Sequence, residues 1–239
     1  AMVREPSWFV TLTYAPEHVP EHGSLDPEHP TLFLKRLRRH YSGRRITYYL
    51  CGEYGDRTRR PHYHAVLSGL DLLDRDRIAD RNGIPVFTSA TLEERWSHGL
   101  VEFTSVSYSA AAYVAGYVQK KIAARGDQHR YTRVDPVTGE LHEVHPDYAR
   151  MSRNPALGRT FLEQYWQDIY PNDFVVIEGK EFKPPRYYDR WMDQRHPEIM
   201  EEVRHQRYQD ATEIGDEKLI MKEKIHRARL RLFNNRDSI

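Results

Sequence analysis

The chain has 239 residues and a formal net charge of +1, and its 39% hydrophobic content is sufficient for one sizeable core and too high for a disordered protein. Its single cysteine, Cys51, excludes an intramolecular disulfide and a multi-cysteine zinc site, and fits a reducing cytoplasm. No apolar run approaches the roughly 18 to 20 residues that span a bilayer, so we expect a soluble cytoplasmic protein without a membrane partner.

A hairpin and a helix are predicted in the first third of the chain. Aromatic and β-branched residues at 8–14 indicate a strand, and the amphipathic pattern at 31–41 indicates a helix. Residues 44–53 and 62–68 indicate two further strands. Because only a short polar turn separates them, we expect these two strands to pair as a hairpin.

The middle of the chain combines short elements with one longer helix. A short helix is predicted at 91–96 and a fourth strand at 100–106. Residues 110–123 are rich in Ala and lack Pro, which favours a helix. Residues 125–149 are predicted to form a polar hairpin or an irregular insertion.

The last third of the chain is predicted to be mainly helical, with a short helix at 160–170 and a long charged helix from 197 to about 233. We therefore expect a main domain over 1–170, with the polar insertion inside it, and a C-terminal helical extension over 171–239. Antiparallel strands with interspersed helices indicate an α+β fold, in which helices cover mainly one face of the sheet and leave the other face for a site.

Basic residues are concentrated in one part of the chain, since residues 31–62 contain nine Lys and Arg against two acidic residues. Such a surface can bind a nucleic-acid backbone by displacing counterions, although a solvated surface explains the same charges. The basic residues predicted to bind nucleic acid are Lys35, Arg44, Arg45, Arg57, Arg59 and Arg60. The nearby aromatic side chains of Trp8, Tyr48, Tyr49 and Tyr54 are candidates for base stacking, with core packing as the alternative.

A possible metal site begins with His62 and His64, which point to the same side of a predicted strand. Glu53, near the end of the preceding strand, can add a carboxylate, and a set of two imidazoles and one carboxylate suits Mn²⁺ or Mg²⁺. In a chain with 13 His, such a pair also arises by chance, and the imidazoles can simply pack or form hydrogen bonds. For Glu53 the alternative is a solvated carboxylate or an ion pair with a neighbouring arginine.

Two tyrosines and two lysines on the helix at 110–123 suggest a reaction. Tyr113 and Tyr117 are four residues apart, so both hydroxyls project from one helix face, with Lys120 and Lys121 one turn further. A tyrosine beside a metal-bound phosphate can attack phosphorus, and either lysine can lower the pKa of the phenol or stabilise the leaving oxygen. The alternatives are tyrosines that pack in the core and lysines at a solvated helix end.

Five stretches together resemble a known group of proteins. The chain is similar to the HUH-endonuclease superfamily, and specifically to the replication initiators of small single-stranded-DNA bacteriophages of the Microviridae type. The stretches occur in the order of that family and read FVTLTY at 9–14, CGEYGDRTRRPHYH at 51–64, YVAGYVQKK at 113–121, MSRNPALGRTFL at 151–162 and PPRYYDRW at 184–191.

The resemblance implies a fold and a reaction. The fold is a ferredoxin-like or RRM-like palm with about five antiparallel strands, the metal-binding histidines on a middle strand and the tyrosine helix across it. In the reaction, Tyr113 or Tyr117 cleaves single-stranded DNA at the replication origin, keeps a 5′-phosphotyrosine link and releases a 3′-hydroxyl that primes rolling-circle synthesis. The second tyrosine then ends the round by strand transfer.

The resemblance also assigns partners and leaves other functions open. His62 and His64 become metal ligands, Lys121 or Lys120 the assisting cation, and Glu53 matches the third ligand position loosely. Gly116 departs from the family pattern, in which a basic residue is familiar between the tyrosines. A host helicase and polymerase are expected partners. The competing functions are a transposase or relaxase of the same superfamily and a nucleic-acid-binding module without catalysis.

Overall fold

The chain divides into two compact units, each with its own hydrophobic core. A computed structural model describes residues 6–108, 111–112, 115–116, 128–135, 137–212, 219–225 and 227–228. The units are Ala1–Arg159 and Thr160–Ile239. The division therefore lies ahead of the one expected at residue 170.

The first unit is built on one large antiparallel sheet. Its elements are β1 (Ser7–Thr13), α1 (Glu28–His40), β2 (Thr47–Tyr54), β3 (Pro61–Ser68), β4 (Arg75–Arg81), β5 (Ile84–Ser89), α2 (Ala90–Trp96), β6 (Val101–Ser105), β7 (Thr132–Val134), β8 (Leu141–Glu143) and β9 (Tyr148–Met151), with short 3-10 helices at Pro16–His18, Glu21–Gly23 and Gln128–Tyr131. Seven strands pair in the order β4-β5-β6-β1-β3-β2-β9, and β7 pairs with β8 separately. The predicted α+β class is confirmed, whereas the expected number of about five strands is too low.

Two edges of the sheet account for the additional strands. At one edge, β4 and β5 form a hairpin whose turn residues, Asn82 and Gly83, both have positive φ angles, 53° and 77°. β4 is charged and almost entirely exposed, so it lacks the alternation that marks a half-buried strand. At the other edge, β9 has only four residues. Charged or short edge strands of this kind discourage pairing with other molecules.

Helices α1 and α2 cover one face of this sheet. Strands β1 and β3 alternate strictly between buried and partly buried residues, which is the pattern of strands with a single core face. The residues that form this core include Val10, Leu12, Phe33, Leu37, Tyr63, Ala65, Leu67, Leu92 and Trp96. The prediction that helices cover mainly one face is confirmed within this unit, and the histidines of β3 lie on the opposite face.

The predicted polar insertion is attached to the core through its final residues. Its described part forms the β7–β8 hairpin and then leads into β9. Asp147 is only 1% exposed, and its carboxylate accepts hydrogen bonds from the Tyr54 backbone N–H and the Tyr131 hydroxyl. These bonds join the insertion to the end of β2, the strand that carries Glu53.

The remaining elements are mainly helical, as predicted for the C-terminal part. They are α3 (Arg159–Ile169), β10 (Val175–Ile177), β11 (Lys180–Phe182), α4 (Arg186–Arg195) and α5 (Pro197–Thr212). Residues 219–225 are also helical, and the other residues between 213 and 233 are only partly described. Among the described residues, no helix combines the length and the apolar character needed to cross a membrane.

Candidate metal centre

Strand register brings the three predicted metal ligands together. Glu53 on β2 is the direct partner of His62 on β3, and His64 follows two residues later on the same face. Oε1 of Glu53 lies 3.0 Å from Nε2 of His62 and 3.1 Å from Nε2 of His64. One ligand atom of each residue lies within 4.8 Å of the others. A pair separated by nine residues along the chain thus becomes one cluster because the hairpin places them opposite each other.

Tyr63 holds the histidine strand from behind. Its side chain is fully buried on the helix-covered face, and its hydroxyl donates to the Asp26 carbonyl oxygen. The same hydroxyl lies 2.8 Å from the Tyr14 hydroxyl. Because consecutive strand residues point to opposite faces, the fixed position of Tyr63 forces His62 and His64 toward Glu53.

Each imidazole is oriented through the nitrogen that does not face Glu53. Nδ1 of His62 is 3.2 Å from the Arg60 carbonyl oxygen, so it must be the donor in that hydrogen bond. Nδ1 of His64 is 3.0 Å from the Thr11 hydroxyl oxygen, and the ring of Phe9 stacks on the imidazole. Supporting bonds of this type fix the ring orientation of metal-binding histidines and leave Nε2 for the ion.

The donor set requires a positive charge among its members. Glu53 is 4% exposed, and the Nε2 atoms of two neutral imidazoles held through Nδ1–H would turn lone pairs toward its carboxylate. A divalent cation removes this repulsion, and so does a proton on each Nε2. Neighbouring donors around an octahedral ion with bonds of about 2.1 Å are about 3.0 Å apart, whereas tetrahedral donors at that bond length are about 3.4 Å apart. The observed spacing therefore fits an octahedral ion such as Mg²⁺ or Mn²⁺.

The arginines of the β2–β3 turn lie beside this centre. Arg57, Arg59 and Arg60 are all exposed in the six-residue turn between the two ligand-bearing strands. Arg44 and Arg45 precede β2 and lie at its opposite end. At roughly 3.3 Å per residue, the length of β2 separates them from Glu53 by about 25 Å. Lys35 is exposed on α1, the helix that packs on the other face. Of the six predicted nucleic-acid contacts, the fold thus brings three close to the metal ligands.

The predicted catalytic residues Tyr113, Tyr117, Lys120 and Lys121 lie outside the described residues. Around them, residues 111–112 and 115–116, including Gly116, are helical. The roles of the four residues remain predictions.

Two of the four aromatic side chains considered for base stacking belong to the core. Trp8 is 7% exposed and donates from its indole to the Leu70 carbonyl oxygen, and Tyr54 is 3% exposed and donates to the His145 carbonyl oxygen. The stacking hypothesis is therefore wrong for these two residues, because their faces are occupied by the protein itself. Tyr48 and Tyr49 are partly buried. Burial raises the pKa of Tyr49.

Sequence reasoning did not single out the supporting residues Phe9 and Thr11. They alternate with buried residues along β1, and Thr11 is the direct partner of His64. The alternation in the sequence could have placed them on the histidine face, but their partners depend on the β1–β3 register, which no local pattern specifies.

Comparison with known proteins gives the class of protein to which these motifs point. Residues 7–122 match a family model of replication-associated proteins, the family of the phage ORF2 protein. This match contains the metal ligands and the segment with the two predicted nucleophiles. No solved structure matches the chain significantly.

Three curated phage proteins are similar over most of the chain. The replication-associated protein VP4 of Bdellovibrio phage phiMH2K is 33% identical over 80% of the chain and 59% of its own length. The replication-associated protein ORF2 of Spiroplasma virus 4 is 32% identical over 83% of the chain and 63% of its own length. The replication-associated protein ORF4 of Chlamydia phage 1 is 28% identical over 79% of the chain and 46% of its own length.

The chain is therefore a relative of the replication-associated proteins of small phages, which confirms the resemblance indicated by the sequence motifs. It spans less than two thirds of the length of each of these three relatives. The class supports a role in phage replication.

Proposed function

We propose that this chain is a metal-dependent endonuclease and strand-transferase that initiates and terminates rolling-circle replication on single-stranded DNA. The observation that carries the proposal is the cluster of Glu53, His62 and His64, with its octahedral donor spacing, in a relative of phage replication proteins. The DNA partner is the replication origin, and a host helicase and polymerase, in the cytoplasm of the host, complete the process.

The residues of the chain divide the chemistry among them. Glu53, His62 and His64 hold Mn²⁺ or Mg²⁺, which when bound withdraws charge from the phosphate oxygens. Thr11 and the Arg60 carbonyl oxygen keep the two imidazoles in register through Nδ1.

The tyrosines carry out the covalent step. The hydroxyl of Tyr113 or Tyr117 loses its proton and attacks phosphorus, so a tyrosine oxygen–phosphorus bond forms while the bond to the 3′-oxygen breaks. The released 3′-oxygen takes up a proton, and Lys121 or Lys120 stabilises the negative charge during the exchange. The second tyrosine repeats the attack on the regenerated origin, and the new 3′-hydroxyl resolves the first link.

The proposal is tested with single-stranded oligonucleotides that tile the replicon encoding the chain. With Mn²⁺, we expect one oligonucleotide to give a covalent protein adduct at its 5′-phosphate and a free 3′-hydroxyl fragment. Chelation with EDTA and the double substitution Tyr113→Phe with Tyr117→Phe should each abolish the adduct. An adduct that survives the double substitution, or no adduct from any oligonucleotide, would contradict the proposal.

Single substitutions separate a replication initiator from a transposase or relaxase that uses one tyrosine. If two nucleophiles alternate, Tyr113→Phe and Tyr117→Phe should each permit one cleavage and prevent the second transfer that closes a circle. Repeated cleavage and rejoining by either single variant would exclude the paired mechanism.

A non-catalytic nucleic-acid-binding module is the second candidate, because the same 3.0 and 3.1 Å distances also suit hydrogen bonds from protonated imidazoles to Glu53. Calorimetric titration with Mn²⁺ distinguishes the two functions. Binding that disappears in His64→Ala supports the enzyme, and no binding by the parent chain supports the module.

A further inference from the structure

A cleft of about 470 Å³ opens at the turn between β2 and β3, next to the metal centre. Its walls include Arg59 and Arg60 from the turn and Arg133 from β7. Thr58 and Pro61 also line it, and Pro61 directly precedes the metal ligand His62. The cleft thus combines basic residues from two segments that are more than 70 residues apart in the sequence.

The three guanidinium groups face the cleft without a partner of opposite charge. Among the described residues, no carboxylate forms an ion pair with Arg59, Arg60 or Arg133. Arg59 and Arg60 instead donate to the backbone carbonyl oxygens of Arg130 and Tyr14. The cleft therefore carries uncompensated positive charge.

Arg133 is the most constrained of the three. Its guanidinium lies 4.8 Å from the centre of the Tyr54 ring, and Nη1 donates to the carbonyl oxygens of Arg130 and Thr132. Among the described residues, its buried Nη2 meets no hydrogen-bond acceptor. Burial and the nearby charge of Arg59 both lower the pKa of Arg133. An arginine held rigidly beside another cation, with donors to spare, is favoured by the arrival of an anion.

The turn itself links the cleft to the metal centre. The Arg60 carbonyl oxygen accepts a hydrogen bond from the Gly55 N–H at 3.0 Å and also lies 3.2 Å from Nδ1 of His62. Arg59 has a φ angle of 54°, a left-handed conformation that is uncommon for residues with a side chain, and its N–H donates to the Gly55 carbonyl oxygen. One short backbone segment therefore positions both a metal ligand and two of the cleft arginines.

We propose that this cleft binds a backbone phosphate of a single DNA strand, one that flanks the phosphate at the metal centre, and that the β7–β8 hairpin contributes to this site through Arg133. The part concerning the metal centre rests on the proposed function. Several arginine forks beside a hydroxyl match the oxygens of a phosphodiester, and the open cleft admits a continuous strand. The described part of the polar insertion thereby acquires a role in substrate binding.

The test measures DNA binding without cleavage, by fluorescence anisotropy of a short labelled oligodeoxythymidylate in EDTA. Arg133→Gln and Arg59→Asn each remove one cleft charge, and asparagine tolerates the left-handed conformation at position 59. The matched control is Arg77→Gln, which removes one charge from β4 at the far edge of the sheet. We expect each cleft variant to bind about tenfold more weakly and to lower the slope of log affinity against log salt by about 0.7.

The outcomes separate this proposal from the function on which it rests. Parental affinity and salt slope in Arg59→Asn would overturn it, as would an equal loss in Arg77→Gln. If Arg133→Gln fails to fold, Arg59→Asn, an exposed turn variant, still decides the matter. A parent chain that never cleaves DNA, but loses binding only in the cleft variants, would refute the nuclease and leave the phosphate site standing.

Discussion

The hydroxyl of Thr11 and the carbonyl oxygen of Arg60 determine how the two histidines present themselves to Glu53. Each holds the Nδ1 atom of one imidazole, at 3.0 Å for His64 and 3.2 Å for His62. The ring orientations are therefore set before an ion arrives, which reduces the entropy lost when it binds. Removing the Thr11 hydroxyl, while every ligand stays in place, isolates the effect of orientation.

We predict that Thr11→Val weakens Mn²⁺ binding by roughly 10- to 100-fold, and that His64→Ala weakens it further because a ligand itself is lost. Isothermal titration calorimetry of the folded variants measures both effects. The control is His205→Ala, which removes an imidazole from α5 in the other unit and should bind like the parent chain. Equal affinities in all four proteins would mean that the ion binds elsewhere.

Gly52 occupies a position on β2 where no side chain fits. A Cβ atom there would lie 2.7 Å from Cε1 of Tyr148 and 3.1 Å from the ring of Tyr63. Both rings are buried, so neither can move aside freely. Because Gly52 directly precedes Glu53, this contact also affects the metal ligand.

We expect Gly52→Ala to lower the free energy of unfolding by about 1–3 kcal/mol and to weaken Mn²⁺ binding, since the strand must shift to relieve the contact. Urea denaturation and metal titration measure the two effects. A double-mutant cycle with Tyr148→Ala provides the control, because removing the closest ring should recover part of the loss. Strictly additive effects would show that the Tyr148 contact is not the cause.

Arg207 links α5 to two carboxylates of the second unit. It donates to Asp173, which follows α3, and to Asp189 on α4. Burial by itself would raise the pKa of each carboxyl, but hydrogen bonds from Arg207, with further bonds from Lys183 to Asp173 and from Tyr170 to Asp189, hold the pKa of both below the ordinary value. These charged bonds hold the helices of this unit together.

The lowered pKa values predict how the link depends on pH. A carboxyl whose pKa is lower in the folded state stabilises that state above the ordinary pKa of about 3.8 and loses this contribution as pH falls through the lowered value. We therefore expect Arg207→Gln to destabilise α5 by roughly 1–3 kcal/mol at pH 7 and by much less below pH of about 3. Hydrogen exchange of the α5 amides, compared at the two pH values, measures the difference. An undiminished effect at low pH would assign the role of Arg207 to packing.

Two separate cores imply that ion binding stabilises one unit and leaves the other unchanged. The metal ligands belong to the unit Ala1–Arg159, whereas the cluster around Trp191 and Met192 belongs to Thr160–Ile239. A ligand stabilises only the structure that it binds, by about 2.7 kcal/mol at a concentration 100 times its dissociation constant.

We predict that saturating Mn²⁺ slows hydrogen exchange of the β3 amides and leaves the α5 amides unaffected. The comparison is made in the same sample, with EDTA as the reference state and His64→Ala as the control for ions bound elsewhere. Equal protection of both regions would indicate that the two units unfold as one, and protection of α5 alone would contradict the metal centre.

Local patterns were sufficient for the elements that have one buried and one exposed face. The alternation in β1 and β3, the amphipathic α1 and the hairpin turn between β2 and β3 all follow from side-chain chemistry within a few residues. They also placed His62, His64 and Glu53 close together, because a hairpin register is determined by its own turn. The charged β4 and the short β9 carry no such pattern, and only pairing along the edges of the sheet makes them strands.

The sequence contained the ligand set and the family motifs, since both depend on residues that are neighbours along the chain or across a single turn. Tertiary structure alone decided which groups support that set: Thr11 reaches His64 across the β1–β3 register, and Arg133 meets Arg59 from a hairpin far along the chain. It likewise buried Trp8 and Tyr54, which composition could not distinguish from stacking residues. The physical reason is that contacts between distant segments depend on the packing of the whole core, and no short stretch of sequence specifies that packing.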